Sequence, residues 1–280
     1  MPKLKIQISD RVKDKDAFMA FLSRLPETFM REGLEIHAAR NRLRIMDTPS
    51  LAVNGSYRVM VKRYHGLFWF QKVYYTFFRA PKCRRAFDNT AELRRRGFDA
   101  AEELAIVEVW NYGLFQYAFF VSEVAEGEKL DNLVIQLQEQ NHQDVIREII
   151  SQYAALVVRL HEHGVLYWDM NCGNVLCKQK KGSSDNQWHF SLIDTNRVRF
   201  YPENQQLDLD TAIGDLILMN PKMGTVELFQ EEYLRQRGLY TPEEARRIRE
   251  LQRQRYERKK YPLKKIFNPI RKHYYKWLEP

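Results

Sequence analysis

The sequence predicts an α+β chain in two lobes, a small antiparallel sheet followed by a mainly helical part. Three observations carry that expectation. Short alternating apolar runs concentrate before about Phe120, a long helical period runs from Asp144 to His163, and a strand-turn-strand pattern spans Val175 to Ile193. The boundary is expected after residue 121, giving lobes 1–121 and 122–280. The start, Met1 to Asp10, alternates like a strand, and Glu35 to Met46 reads as two strands turning near Arg40 and Asn41. After an Asn54-Gly55 turn comes a strand to Tyr64, with Tyr57, Val59 and Val61 on one face and Met60 and Lys62 on the other. In the aromatic run that follows, Phe70, Tyr74, Phe77 and Phe78 recur at helical spacing, as ordinary core or as an amphipathic surface. Lys82 to Gly97 reads as a helix closed by its glycine, and Ala118–Glu123 as the last strand of the first lobe.

In the second lobe Val145, Ile146, Ile149, Ile150, Tyr153, Leu156, Val157 and Leu160 share one broad helical face, and Gly164 stops the helix. His161 and His163 lie at its C-terminus, where a dipole and open carbonyls favour histidine, so a capping role is expected of both. The chain then places Asp169 five positions before Asn174, and Asp194 at the end of the Trp188–Ile193 run. If the runs on either side of the polar stretch 178–186 pair antiparallel, Asn174 and Asp194 fall at the same end of the ribbon, one short loop from Asp169. Each residue alone is an ordinary turn former. Together, in this order and behind a Val-x-Lys strand ending in Lys62, they are the set a protein kinase uses. One Asp takes the acceptor's hydroxyl proton, an Asn and a second Asp hold Mg2+, and the lysine meets the α and β phosphates of ATP.

The segment from His161 to Leu176, with Phe190–Phe200 and its Ile-Asp-x-Asn-Arg strand end, resembles the bacterial lipopolysaccharide core kinases. The likeness runs from about Leu25 to about Leu234. It implies a two-lobed protein-kinase-like fold and transfer of the ATP γ-phosphoryl group to a sugar hydroxyl of the lipid A inner core, on Kdo or heptose. Asp169 is then the base, Asn174 and Asp194 the metal ligands, and Lys62 the phosphate lysine. The family's glutamate partner for that lysine is replaced by Asp88, one methylene shorter, with Glu92 one turn on as the alternative. No Gly-x-Gly-x-x-Gly covers the phosphates, so Arg40 is the candidate to meet them by bidentate contact. Backbone groups around Glu123 are the candidate adenine contact. Tyr167 stands where His-x-Asp is usual and is expected to take over that histidine's structural hydrogen bond. The alternatives left open are a protein kinase, a non-catalytic kinase-like binding module and a nucleic-acid binder.

At 280 residues, 44% hydrophobic and 13% aromatic, the chain can bury a substantial core. Its three cysteines, Cys83, Cys172 and Cys177, fit a reducing compartment and make no zinc pattern. There is no apolar secretory stretch and no run of membrane-spanning length, so the expectation is a cytoplasmic protein peripheral to the inner membrane. Charge is concentrated. Residues 246–276 hold 13 Lys and Arg against Glu250 and Glu257, a net of +11 in a chain of +9. The segment opens with Thr241-Pro242-Glu243-Glu244, a capping box. Basic residues interleaved with Tyr256, Phe267, Tyr274 and Trp277 suit an anionic membrane surface, so the expected partners are that surface and a lipid-linked sugar acceptor, with no nucleic acid.

Overall fold

The structure is a computed structural model and describes residues 2–38, 41–49, 57–64, 68–180, 187–218 and 224–260. Arg40, the Asn54-Gly55 turn, residues 181–186 and the tail beyond Lys260 lie outside the described residues. The chain forms two compact units. One holds Met1–Ala125 together with Asp194–Asn196, the other Glu126–Ile193 and Arg197–Pro280. The division thus falls after Ala125 rather than after residue 121, and a three-residue return from the distal sequence belongs to the first unit.

The first unit contains β1 (Lys3–Ile8), α1 (Lys15–Thr28), β2 (Leu34–Ala38), β3 (Asn41–Asp47), β4 (Arg58–Tyr64), α2 (Trp69–Phe77), α3 (Lys82–Arg95), β5 (Glu103–Asn111) and β6 (Leu114–Glu123). The strands form one six-stranded sheet in the order β1-β5-β6-β4-β3-β2, with every pairing antiparallel. Alternation along β4 decides which side chain meets which layer. Val59 and Val61 enter the core beneath α1, while Tyr64, and with it Lys62, faces the side that α3 covers through Cys83 and Phe87. β5 is buried on both faces because helices cover both: Val107 and Val109 point to α1, and Ile106 to α3.

One helix was expected in this lobe; the described residues form three. The sequence does announce α1. Asp14 caps it by accepting from Ala17 N–H at 3.1 Å, and Phe18, Leu22 and Leu25 at i, i+4 and i+7 are fully buried. Pro26 sits inside its last turn and masks the pattern.

The second unit contains β7 (Glu128–Lys129), α4 (Leu130–Glu139), α5 (Gln143–Glu162), β8 (Val165–Leu166), β9 (Val175–Gln179), β10 (Trp188–Leu192), β11 (Arg199–Phe200), α6 (Leu209–Leu216), α7 (Val226–Gln236) and α8 (Pro242–Lys260). The apolar face of α5 packs on α7, with the Tyr153 and Phe229 rings stacked at 5.1 Å. Gly164 ends the helix at φ 66°, and a Cβ there would lie 2.5 Å from the Pro202 carbonyl oxygen, so no larger residue fits. β9 and β10 pair antiparallel with Val175 opposite Leu192, which brings the residues just before β9 beside those just after β10. At α8, Thr241 Oγ1 accepts from Glu244 N–H at 3.1 Å as the capping pattern requires, and Ala245 and Ile248 are buried. No described helix is long and apolar enough to cross a membrane.

Because Leu22 is fully buried at the centre of the α1 contact, Leu22→Ala is expected to destabilise the protein by about 2–5 kcal/mol, read as a lowered midpoint in urea unfolding. An unchanged midpoint would mean that α1 does not anchor this face of the sheet.

Candidate active site

In the second unit the loop after β8 is positioned by a carboxylate the sequence reading passed over. Asp215, on α6 and fully buried, accepts from the backbone N–H of Tyr167 at 2.7 Å and of Trp168 at 2.6 Å, and lies 3.2 Å from His161 Nε2. His161 Nδ1 is 2.8 Å from the Tyr233 hydroxyl, which itself accepts from Arg237 at 2.8 Å. One tautomer satisfies every partner: Nε2–H donates to Asp215, and the Tyr233 hydroxyl donates to Nδ1. His161 is therefore a buried strut rather than the expected helix cap, because it falls on the core face of α5. His163 does reach the end of the helix, with Nδ1 2.8 Å from the Arg159 carbonyl oxygen.

With two amides pinned, Trp168 is held at φ 59°, a left-handed conformation rare for a bulky side chain. That turn sets Asp169 beside Asn174. Asn174 Nδ2 donates to the Asp169 carbonyl at 2.9 Å, which leaves the Asn174 Oδ1 as the end able to meet a cation. The Asp169 carboxylate is 3.3 Å from Arg197. The β9–β10 ribbon closes the arrangement, as Ile193 N–H donates to the Asn174 carbonyl at 3.0 Å and the Tyr167 hydroxyl donates to the Ile193 carbonyl at 2.6 Å. Tyr167 thus makes the structural hydrogen bond expected of it, one residue before Asp194.

Asp194 belongs to the first unit. It too is held at positive φ, 63°, and its carboxylate is 2.9 Å from Lys62 Nζ. Burial pushes this carboxyl up, but the Lys62 charge and hydrogen bond, with a further bond from Asn196, outweigh it and hold the group below the usual carboxylate range. The three residues are anchored by α3. Thr195 Oγ1 is 2.8 Å from Thr90 Oγ1 and donates to the Ala86 carbonyl at 3.0 Å; Asn89 donates to the Thr195 carbonyl at 2.7 Å and Arg85 to the Asn196 carbonyl at 3.0 Å.

The acid expected to pair with Lys62 is corrected by that geometry. Residues 85, 86, 89 and 90 form the α3 face that meets 194–196, and helical rotation turns Asp88 away from it, exposed and without an ion pair among the described residues. Glu92 is taken by Arg95 at 2.6 Å and Arg96 at 2.7 Å. The Arg95 hydrogen bond, aided by Arg96 against burial, holds its carboxyl at about 2. Lys62 has Asp194 instead. Glu123 ends β6 with its N–H donating to the Glu102 carbonyl at 2.9 Å and its Oε1 accepting from Glu102 N–H at 3.0 Å, so its own amide is committed and is removed as an adenine donor.

The oxygens of Asn174 and Asp194 are hard ligands of the kind magnesium takes. Among the described residues no group of three or more His, Cys, Asp or Glu gathers to hold a metal unaided. Each oxygen by itself therefore suits a cation that arrives with nucleotide phosphates, since magnesium is commonly held by one or two protein oxygens plus phosphate. Asp215 could have been found from its setting: it interrupts the apolar run Ala212, Ile213, Leu216, Ile217, where an acid needs a partner. Thr90 and Asn89 carried no comparable signal.

Removing the Asp215 carboxylate strands two buried amides and an imidazole. Asp215→Ala is expected to cost about 3 kcal/mol or more in urea unfolding, and Asp215→Asn less, because its amide oxygen still accepts one bond. For Asp194 the lowered carboxyl sets the sign: its stabilisation is present above the ordinary carboxylate pKa and is lost as pH falls through the folded value. The stability gap between wild type and Asp194→Asn should hold constant above about pH 5 and shrink as pH falls below the ordinary carboxylate range. A gap that varies between neutral pH and pH 6 would contradict the pairing.

The comparisons with known proteins come down on one family. The profile of the "Lipopolysaccharide kinase (Kdo/WaaP) family" matches residues 48–209, more than half of the chain. Among curated proteins none matches. Among solved structures, "WaaP in complex with acyl carrier protein" aligns over 91% of this chain and 98% of that one with a TM-score of 0.56, at 14% identity, a likeness of fold. The matched residues include Lys62, Asp169, Asn174 and Asp194. Family membership makes the enzyme an ATP-dependent phosphotransferase acting on a sugar hydroxyl. The chain belongs to the lipopolysaccharide kinase (Kdo/WaaP) family.

Proposed function

We propose that this lipopolysaccharide kinase transfers the γ-phosphoryl group of Mg-ATP to a Kdo or heptose hydroxyl of the lipid A inner core. The observation that carries the reading is the pair of constrained loops, each holding an acid of the kinase set beside the partner its role requires. Phosphoryl transfer is achieved mainly by positioning and by stabilising charge, so fixed loops are what the chemistry asks of the protein. Asp169, with its backbone tied to Asn174 and its carboxylate steadied by Arg197, orients the acceptor hydroxyl and takes its proton. Asn174 Oδ1 and the Asp194 carboxylate are the oxygens that would hold Mg2+, and the ion would supply positive charge to offset that of the nucleotide phosphates. Lys62, an ammonium on a strand whose opposite face is locked in the core, meets the α and β phosphates.

The acceptor is lipid-linked, so the same reading puts the protein at the inner membrane, with the basic C-terminal segment on anionic headgroups. Of that segment α8 is described. Arg246, Arg247 and Arg253 are exposed there, Arg247 is paired with Asp210 and Glu244, and Arg253 with Glu250. The attraction therefore rests on the surplus of cations rather than on every arginine.

Incubation of the protein with Mg-ATP and extracted lipopolysaccharide should give a product heavier by one phosphate, with heptose or Kdo identified by fragmentation. Asp169→Ala should lower turnover about 10²- to 10⁴-fold, the usual contribution of a positioned base, with its unfolding midpoint unchanged. A product that forms undiminished in Asp169→Ala would remove this residue from the chemistry, and phosphate found on a peptide instead would replace the acceptor class.

A further inference from the structure

α2 is a nine-residue helix with no buried side chain. Among the described residues it is fastened along one side. Phe115 N–H donates to Thr76 Oγ1 at 3.0 Å, Lys72 reaches Gln116 Oε1 at 2.6 Å, and the Tyr75 and Phe115 rings meet edge-on at 6.2 Å. The other side carries Phe70, Tyr74, Phe77 and Phe78 at i, i+4, i+7 and i+8, with Trp69 beside them. All five are exposed, Trp69, Phe77 and Phe78 by 74%, 69% and 76% of their surface. A single exposed aromatic needs no account, but five on one short helix form an apolar surface a soluble protein normally covers.

The charge along this stretch of the chain has one sign. From Thr48 to Phe87 the sequence holds eight Lys and Arg and no Asp or Glu. Next to the aromatic face lies a pocket of about 390 Å³ lined by Lys5, Arg79 and Arg84 among aromatic rings. Its one acid, Glu108, is buried and neutralised by Arg84 at 3.1 Å, with Trp110 Nε1 donating to it at 3.1 Å. Lys5 stands 3.7 Å over the Trp110 ring, and Arg79 makes no ion pair among the described residues. Such a surface selects its occupant by charge. The chain's own segment 261–280 has five Lys and Arg against one Glu, and the same face of a second copy would bring the same cations, so like charge disfavours both. Phe77 and Phe78 offer no hydrogen-bonding group to a polar partner, whereas Trp and Tyr with flanking cations are the side chains that settle at headgroup depth.

We propose that α2 and the turn Phe77–Pro81 dock on an anionic lipid bilayer, the aromatic face seated among the headgroups and Lys5 and Arg79 meeting lipid phosphates. This contact lies in the first unit and is additional to the basic C-terminal segment. It orients the enzyme instead of merely concentrating it, because a short helix face fixes a direction that a polybasic segment does not.

The test uses the full chain without nucleotide, so the outcome is independent of whether the kinase roles hold. Binding is measured by sedimentation with phosphatidylcholine vesicles containing or lacking phosphatidylglycerol. Wild type should bind only the anionic vesicles. Arg79→Gln should weaken the partition about fivefold, the equivalent of about 1 kcal/mol for one basic residue near the surface. The double variant Phe77→Ser, Phe78→Ser should weaken it tenfold or more, with an unchanged melting temperature, since neither side chain is buried. Brominated lipid should quench tryptophan emission in wild type, and the quenching should fall in Trp69→Phe, a variant that keeps the ring. Binding by the aromatic variant equal to wild type would overturn the proposal. So would a loss confined to self-association, or to capture of a soluble acidic protein with vesicle binding intact.

Discussion

Asp215 carries no solvent contact and yet meets three donors, the amides of Tyr167 and Trp168 and the imidazole of His161. A carboxylate in such a place costs several kcal/mol in lost hydration unless its partners are fixed, and fixed partners are what it obtains. The traffic runs both ways. The amides of a tight loop have no ladder or helix to enter, so without an acceptor they would be stranded in the interior. Loop and carboxylate therefore impose order on each other, and α5, α6 and α7, which supply His161, Asp215 and Tyr233, are tied into the same network. Everything that follows along the chain, from the turn at Trp168 to Asp169 and Asn174, starts from those two hydrogen bonds.

The same logic explains where backbone strain is found. Among the described residues four that are not glycine have positive φ. Tyr112 and Asn141 lie in connections between elements, where such a turn is common, but Trp168 and Asp194 flank the residues of the kinase set. Each is over-determined by its surroundings. Trp168 is held by its amide bond to Asp215, Asp194 by Lys62 on its side chain and by the α3 contacts to Thr195 and Asn196 just after it. In both cases the strain aims a carboxylate: Asp169 follows Trp168, and Asp194 is itself aimed.

How far the sequence discloses this depends on the range of the forces involved. Alternation in β4, the α5 period, the Gly164 stop and the β9–β10 pairing are local regularities, and they are legible because the repeat of a strand or helix writes itself into neighbouring residues. The proximity of Asn174 to the end of β10 follows from antiparallel pairing alone. The lysine's partner was not legible in the same way. A choice among Asp88, Glu92 and Asp194 depends on how α3 is rotated about its axis and on which arginines stand one turn away, and Glu92 goes to Arg95 and Arg96 for purely helical reasons. α1 was missed because a proline in its last turn conceals a period that burial shows to be regular.

Charge segregation links the catalytic part to the rest of the molecule. Residues 246–276 hold +11 and residues 48–87 hold +8, in a chain whose net charge is +9, so everything else together is ten charges negative. The chain is thus not a uniformly basic body that binds any polyanion at long range. Beyond a Debye length of about 8–10 Å its positive field is screened, and attraction is confined to the two blocks. One block ends the sequence, and the other holds Lys62 on β4 together with the aromatic helix α2. The lysine that would meet nucleotide phosphates and the cations beside the exposed rings accordingly come from one acid-free stretch of chain. Excluding acids from that stretch serves both ends at once: a carboxylate placed there would compete for Lys62 with Asp194, and on the surface of α2 it would repel the anionic headgroups proposed to meet the aromatic face.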